Sequence, residues 1–223
     1  MTVDDTYKLM QDIVNKYQSG YLSPAEFNRY INQAQRSYLA YLLGEYQQYQ
    51  NGRAIARVEI GMNQKVMQSL SPFIGEPTTL TIDVNGNATY PDNFEAVNAM
   101  FYGSSYKRVR YVMWDKLYSY FNSSIDPIAT NPIYLVKDTG FKFFPILLGT
   151  AYLSYVSTPT DIVWGYTEDI NEQPVYDPTT SVDPAWLDID MLDIIARALQ
   201  MFGISIQAND VVQYSTMVKN QGQ

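Results

Sequence analysis

Apolar positions along the chain repeat first at helical spacing, then at strand spacing, then at helical spacing again. Over residues 4–18, Leu9, Ile13, Val14 and Tyr17 share one face before Ser19-Gly20, which predicts a short first helix. Ser23-Pro24-Ala25-Glu26 then carries the signs of a second start. Ser23 is placed to accept from first-turn amides, Pro24 suits the first helical position, and Glu26 reaches back as in a capping box. Phe27, Tyr30, Ile31, Ala34, Tyr38, Tyr41 and Leu42 continue at steps of three and four, predicting a helix with an aromatic-rich stripe to about Gly44. A third helix is expected over residues 53–70, with Ile55, Val58, Met62, Val66 and Leu70 on one face and Gly61 weakening its middle.

From Pro72 the period becomes two. Leu80, Ile82 and Val84 alternate with Thr79, Thr81 and Asp83, and Asn85-Gly86 offers the positive-φ pair of a hairpin turn leading back through Ala88 to Tyr90. Further strands are expected at Val97–Tyr102, Lys107–Val112, Ile133–Val136, Phe141–Phe144 and Tyr152–Val156, with a short helix over Trp114–Phe121. Residues 160–182 lack clean periodicity. A structureless run of that length within a compact domain is usually functional or mobile. Asp183-Pro184 reads as a new helix start, with Leu187, Met191, Leu192, Ile195, Leu199 and Phe202 on its face and Gly203 as its stop. Asn209 is placed to cap a final amphipathic helix carrying Val212, Met217 and Val218.

The pattern therefore predicts an α+β fold with N-terminal helices, a central small, mostly antiparallel β domain and C-terminal helices. Its expected divisions are a helical region over 1–74, a β-rich domain over 75–159, a long acidic loop or arm over 160–182, and C-terminal helices over 183–223 that pack with the N-terminal ones.

Composition narrows the chemistry. The 223 residues contain no Cys and no His, which excludes thiolate nucleophiles, Cys-ligated zinc, Ser-His-Asp triads and HExxH sites. No phosphate-cradling GxxxxGK[ST] or GxGxxG occurs. No apolar run approaches the roughly 18 residues of a membrane span, and the acidic start MTVDDTYKLMQD is unlike a signal peptide, so synthesis in the cytoplasm is expected.

Weaker signals resolve towards ordinary structure. Asp83-Val84-Asn85-Gly86-Asn87 superficially resembles a calcium loop, but Phe94 stands where the bidentate Glu belongs, and a hairpin is expected. Asp188-Ile189-Asp190 is a bare Asp-x-Asp within a predicted helix, where residues two apart diverge. Lys107-Arg108-Val109-Arg110 is the one basic cluster and reads as a polar strand face. Two carboxylates suited to glycoside hydrolysis are permitted by composition without being indicated. The expectation is no catalytic residue, no cofactor and no metal.

Charge and aromatics point to interfaces. Between Lys142 and Arg197 the chain has nine acids and no base, whereas the rest carries 15 bases against 14 acids. This window is either a solvated loop or a surface that meets a basic partner or repels phosphates. Of the 32 aromatic residues 20 are Tyr, which suits surfaces that are part packed and part wet. The expected partner-interface residues are Trp164, Tyr166, Glu168, Asp169, Glu172 and Tyr176 of the long segment and Val212, Met217 and Val218 of the last helix.

The order of parts resembles a known family. A short helix, LSPAEFNRYINQAQRSYLAYL, TYPDNFEAVNAMFY before a basic strand, NPIYLVKDTGFKFFP, YLSYVSTP and DPAWLDIDMLDIIARALQMFG follow one another as in tailed-phage head-to-tail connector proteins. The Tyr- and Asn-rich style is closest to the ring proteins of crAss-like phages. The resemblance rests on Pro91-Asp92-Asn93-Phe94, Asn131-Pro132-Ile133-Tyr134, Phe144-Pro145, and Tyr155 with Pro159. It implies a structural virion protein of the neck or tail, forming a ring, usually of about twelve copies, below the portal. Its partners would be the portal, further tail or ring proteins, and double-stranded DNA passing through the lumen without sequence-specific binding. The residues also suit a carbohydrate- or receptor-binding module of a phage tail, which is the runner-up, with an enzyme, a glycosidase by paired carboxylates, as the third reading.

Overall fold

The structure is a computed structural model and describes residues 1–16, 20–48, 57–103, 105–121, 123, 125–146 and 149–205. The fold is mixed α+β, with N-terminal helices, central strands and a C-terminal helix. The chain divides into two compact units: Met1–Pro72 with Pro159–Gln223, and Phe73–Thr158.

The first unit is built on α1 (Val3–Lys16), α2 (Pro24–Gln48), α3 (Arg57–Leu70) and α5 (Asp188–Ser205). Both N-terminal helices begin at reciprocal caps. The Glu26 amide donates to Ser23 Oγ at 3.3 Å, and Glu26 Oε2 accepts from the Ser23 amide at 3.1 Å, as the sequence predicts. At α1, Thr2 and Asp5 form a similar pair. Val3, Tyr7, Met10 and Val14 of α1, Phe27, Ile31, Ala34, Tyr38 and Leu42 of α2, and Met191, Ile195, Leu199 and Phe202 of α5 are buried, with α2 lying along α5. Each set recurs at three- and four-residue steps, so hydrophobic burial selects both the helices and their rotation.

Three expectations for α5 are corrected. Asp183 does not start it: its Oδ1 accepts from the Val3 amide at 2.7 Å, so the carboxylate caps α1 from across the sequence. The helix begins at Asp188, runs past Gly203 to Ser205, and leaves Leu192 exposed while Ile194 is buried instead. Leu9 of α1 is likewise at the surface. The predicted last helix, including Val212, Met217 and Val218, lies outside the described residues.

The second unit contains two four-stranded sheets. One has the order β1 (Thr78–Ile82), β8 (Gly149–Ser157), β3 (Phe94–Tyr102), β4 (Lys107–Arg108). The other runs β2 (Asn87–Thr89), β7 (Gly140–Phe144), β6 (Ile133–Val136), β5 (Arg110–Tyr111). All pairs are antiparallel except β5 with β6. Leu80, Ile82, Met100 and Leu153 of the first sheet share one core with Ala88, Tyr134, Phe141 and Phe143 of the second. Burial of Tyr134 pushes its phenol up to about 12.

The alternating run before Asn85-Gly86 predicts that β1 pairs with β2; instead the turn passes the chain from one sheet to the other. Asp83 Oδ1 accepts from the amides of Asn85 and Asn87, and Gly86 is left-handed at φ +77°, so one positive-φ residue suffices. The predicted single strand over 107–112 is also broken. Val109 is buried and its amide donates to the Met100 carbonyl, after which Arg110 and Tyr111 join the other sheet. The short α4 (Leu117–Tyr120) follows a 3-10 turn at Trp114–Lys116, close to its expected place.

Candidate interaction surfaces

The start of the 160–182 segment, Thr160 to Trp164, is held against α2. Asn28, Asn32 and Gln35 stand at i, i+4 and i+7 on one helix face and address alternate residues of an extended run. Asn28 accepts from the Trp164 amide at 2.8 Å and donates to its carbonyl at 3.2 Å. Asn32 treats Ile162 in the same way, at 2.8 Å for both bonds, and Gln35 donates to the Thr160 carbonyl at 3.1 Å. Four helical residues rise about 6 Å and two extended residues about 6.7 Å, so the two repeats stay in step over this distance. Periodicity in the extended run is invisible because its partner is a helix face; the amide stripe on α2 is the signal that could have exposed it.

This geometry decides what the aromatic anchors do. The Trp164 ring lies 4.3 Å from Tyr7 between centroids, its Nε1 donates to Asp4 Oδ1 at 3.2 Å, and the residue is 4% exposed. Trp164 therefore anchors the segment within its own unit, not on a partner. Tyr166 and Tyr176 flank it at 6.0 and 5.6 Å, with Tyr166 left 40% exposed. Both belong to a hairpin, β9 (Tyr166–Glu168) paired with β10 (Pro174–Tyr176), that the sequence reading missed.

The hairpin tip carries the acids. Asp169 Oδ1 accepts from the amides of Asn171 and Gln173, which holds its carboxyl below the usual carboxylate range. Its charge stabilises the turn. Glu168 and Glu172 are exposed and form no ion pair among the described residues, and Ile170 between them is 98% exposed. Glu172 itself sits in the left-handed region at φ 59°.

A second surface lies on the β unit. Lys107, Arg108 and Arg110 are all exposed on terminal strands of the two sheets, flanked by Tyr106 and Tyr111. None of the three bases has a carboxylate within 4.0 Å among the described residues. Met113, Trp114 and Tyr118 extend the exposed apolar surface, and Trp114 is oriented by its Nε1 donating to the Val136 carbonyl at 3.0 Å.

The Asp-x-Asp sequence separates as expected. Asp188 pairs with the N-terminal amine, whereas Asp190 is buried and accepts from Tyr38 and Ser69 hydroxyls, both at 2.8 Å. Asp190 thereby ties α5 to α2 and α3. Burial, then the bond to Asp190, pushes the Tyr38 phenol far up. Arg197 lies over the rings of Tyr38 and Tyr41 at 5.5 and 4.9 Å. Burial raises the nearby Asp193 carboxyl, against the pull of Arg197.

An open depression of about 270 Å³ is lined by Thr81, Asp83, Thr89, Lys137 and Thr139 among others, with Asp83 its one carboxylate. That carboxylate is held by the turn amides. Among the described residues no three Asp or Glu side chains gather as a metal site, and no helix is long and apolar enough to cross a membrane. No protein-family model matches the chain, and no curated protein is significantly similar to it in sequence.

Proposed function

We propose that the chain is a structural virion protein that assembles as a closed ring below the portal, connecting a phage capsid to its tail and surrounding the DNA exit channel. The observation that carries this reading lies on and beside the terminal strands of both sheets, where Lys107, Arg108 and Arg110, without a carboxylate partner among the described residues, stand exposed near the exposed rings of Tyr106, Tyr111, Trp114 and Tyr118. Exposed strand edges and contiguous apolar surface are features that an assembly subunit covers with neighbours. The order of elements, which resembles that of connector proteins, supports the same reading, and its net charge of -8 suits a lumen that lets DNA slide. Its partners are then further copies of itself, the portal and adjoining tail or ring proteins.

Electron microscopy and analytical ultracentrifugation of the purified protein, alone and with its portal, test this. Closed rings are expected in one or both samples; a monomer in both at high concentration overturns the proposal. The orientation of Trp114 and the 81% exposure of Tyr118 favour, as a second reading, a carbohydrate-binding module of a phage tail, since such rings stack on sugars. Glycan binding by a monomer or trimer would establish that alternative.

A further inference from the structure

We infer that the β9–β10 hairpin tip of one copy docks on the β4–β5 edge of the next copy, so that Glu168 and Glu172 meet Lys107, Arg108 and Arg110. The inference rests on the ring reading and deepens it by naming the contact that builds the ring.

The argument begins with charge. The unit bearing the tip has sixteen acids against nine bases, and the β unit is nearly balanced at seven against six. The first unit exposes two glutamates, Glu168 and Glu172, at the ends of one short hairpin turn, and the second exposes three bases, Lys107, Arg108 and Arg110, within four residues of terminal strand. Neither group is neutralised among the described residues. A second copy of this chain supplies both complements at once, which an unrelated partner would have to match separately.

Apolar surface supplies the centre of the contact. Ile170 projects between the two glutamates at 98% exposure, and Tyr106 and Tyr111 bracket the bases at 59% and 49%. An apolar anchor entering between aromatic rings, with opposite charges around it, reproduces the core and rim of a protein interface. Exposed charge pairs contribute little each, so the rim acts mainly on register and encounter rate.

Symmetry gives the inference its connection to a ring. Tip and edge are different surfaces, so their contact is heterologous, and a heterologous contact repeated with a fixed rotation closes into a ring or runs on as a filament. A two-fold dimer would instead need one self-complementary patch.

Charge reversal with complementation tests it on the full-length protein. Glu168→Lys with Glu172→Lys makes a variant with basic tip and basic edge; Lys107→Glu with Arg108→Glu and Arg110→Glu makes one with both acidic. Asp169 is kept because it holds the turn. Circular dichroism verifies folding, and Glu168→Gln with Glu172→Gln replaces the first variant should it misfold. Each variant alone is expected to assemble at least about tenfold more weakly than the parent by sedimentation, and an equimolar mixture of the reversed variants to recover to within about threefold. Recovery only in the mixture requires contact between copies. If the parent forms rings and either variant alone does so equally, or the mixture fails to recover, this contact is wrong while the ring reading stands. A parent that never associates overturns both.

Discussion

The Asn32 side chain does for Ile162 what a neighbouring β-strand would: its Oδ1 accepts from the Ile162 amide and its Nδ2 donates to the Ile162 carbonyl, each at 2.8 Å. With Asn28 acting alike on Trp164, the extended run obtains ladder-like hydrogen bonding from a helix surface. Ile162 and Trp164 can then bury their side chains without leaving their backbone polar groups unpaired.

Replacing Asn32 by Ala should therefore orphan two part-buried backbone groups. The expected loss is about 2 to 4 kcal/mol, because removal of one partner exposes the desolvation cost of the other. In a chain of this size that lowers Tm by roughly 5 to 12 °C. Gln33→Ala, on the exposed side of the same helix, should change stability by no more than about 0.5 kcal/mol. Calorimetry showing equal effects for the two would refute the strand-like role.

Gly165 tests a second contact of the same segment, its approach to the returning chain at Thr180. A Cβ there would lie 2.2 Å from Thr180 Oγ1 and 2.7 Å from the Thr180 carbonyl carbon. Gly165→Ala must push the returning chain away, at an expected cost of about 1 to 3 kcal/mol in denaturant titration. An unchanged midpoint would mean that the approach at Thr180 relaxes freely.

How far the sequence could be read follows from where each element finds its partner. Ser23 and Glu26 lie three residues apart, so the start of α2 was legible, as was the hairpin from Ile133 to Phe144 with its local turn. Val3 and Asp183 are 180 residues apart, and nothing nearby marks Asp183 as the cap of α1. The β1–β2 pairing failed for the same reason. Alternation announces a strand, but β8, far along the chain, competed for β1. In the candidate surfaces, the acidic window was legible from charge alone, but the hairpin that sets Glu168 and Glu172 at its tip was not, and Trp164 looked like a free anchor because the amides that hold its segment lie on another element.

Two turns of one design make the third substitution informative. Asp83–Asn87 and Asp169–Gln173 each use the Asp carboxylate to hold the second and fourth following amides, and each places its fourth residue in a left-handed conformation. That residue is Gly86 in one and Glu172 in the other. Glu172→Gly should stabilise the fold by about 0.5 to 1 kcal/mol, since only glycine adopts such φ without steric cost. Destabilisation in chemical denaturation would mean that the Glu172 side chain contributes more than its backbone strain removes.

Asp193 makes stability depend on pH in an unusual direction for an acid. Burial raises its carboxyl above the ordinary 3.8, Asp190 adds to the rise, and Arg197 and Lys65 oppose it. Between that ordinary value and the raised one, the folded state holds more protons than the unfolded state, so this group's contribution falls as pH rises through the window and stays lost above it. Asp5, Asp83, Asp169 and Asp177 are lowered by hydrogen bonds and act oppositely, weakening the fold as pH falls below the ordinary value. Comparison of Asp193→Asn with the parent isolates the first effect. The variant should be more stable at neutral pH, with its advantage shrinking towards pH 3; a constant difference across the range would rule the titration out.

Salt distinguishes attraction from crowding among the acids. Nine carboxylates from Asp161 to Asp193 have no base among them in sequence, and of these Glu168 and Glu172 stand exposed at the hairpin tip. Raising ionic strength from about 0.05 to 0.5 M shortens the Debye length from roughly 14 to 4 Å. If the tip meets the Lys107–Arg110 edge of a neighbour, screening weakens the contact and the apparent dissociation concentration rises. Should acidic surfaces instead face one another across the interface or the lumen, the same salt relieves repulsion and association strengthens. The proposed contact requires the first sign. It also requires that Glu168→Gln with Glu172→Gln flatten the salt response, because the charges being screened have then been removed. Sedimentation velocity across the salt range, with parent and neutral variant side by side, gives the sign and the slope together, and association that strengthens with salt in the parent would remove the tip-to-edge contact from consideration.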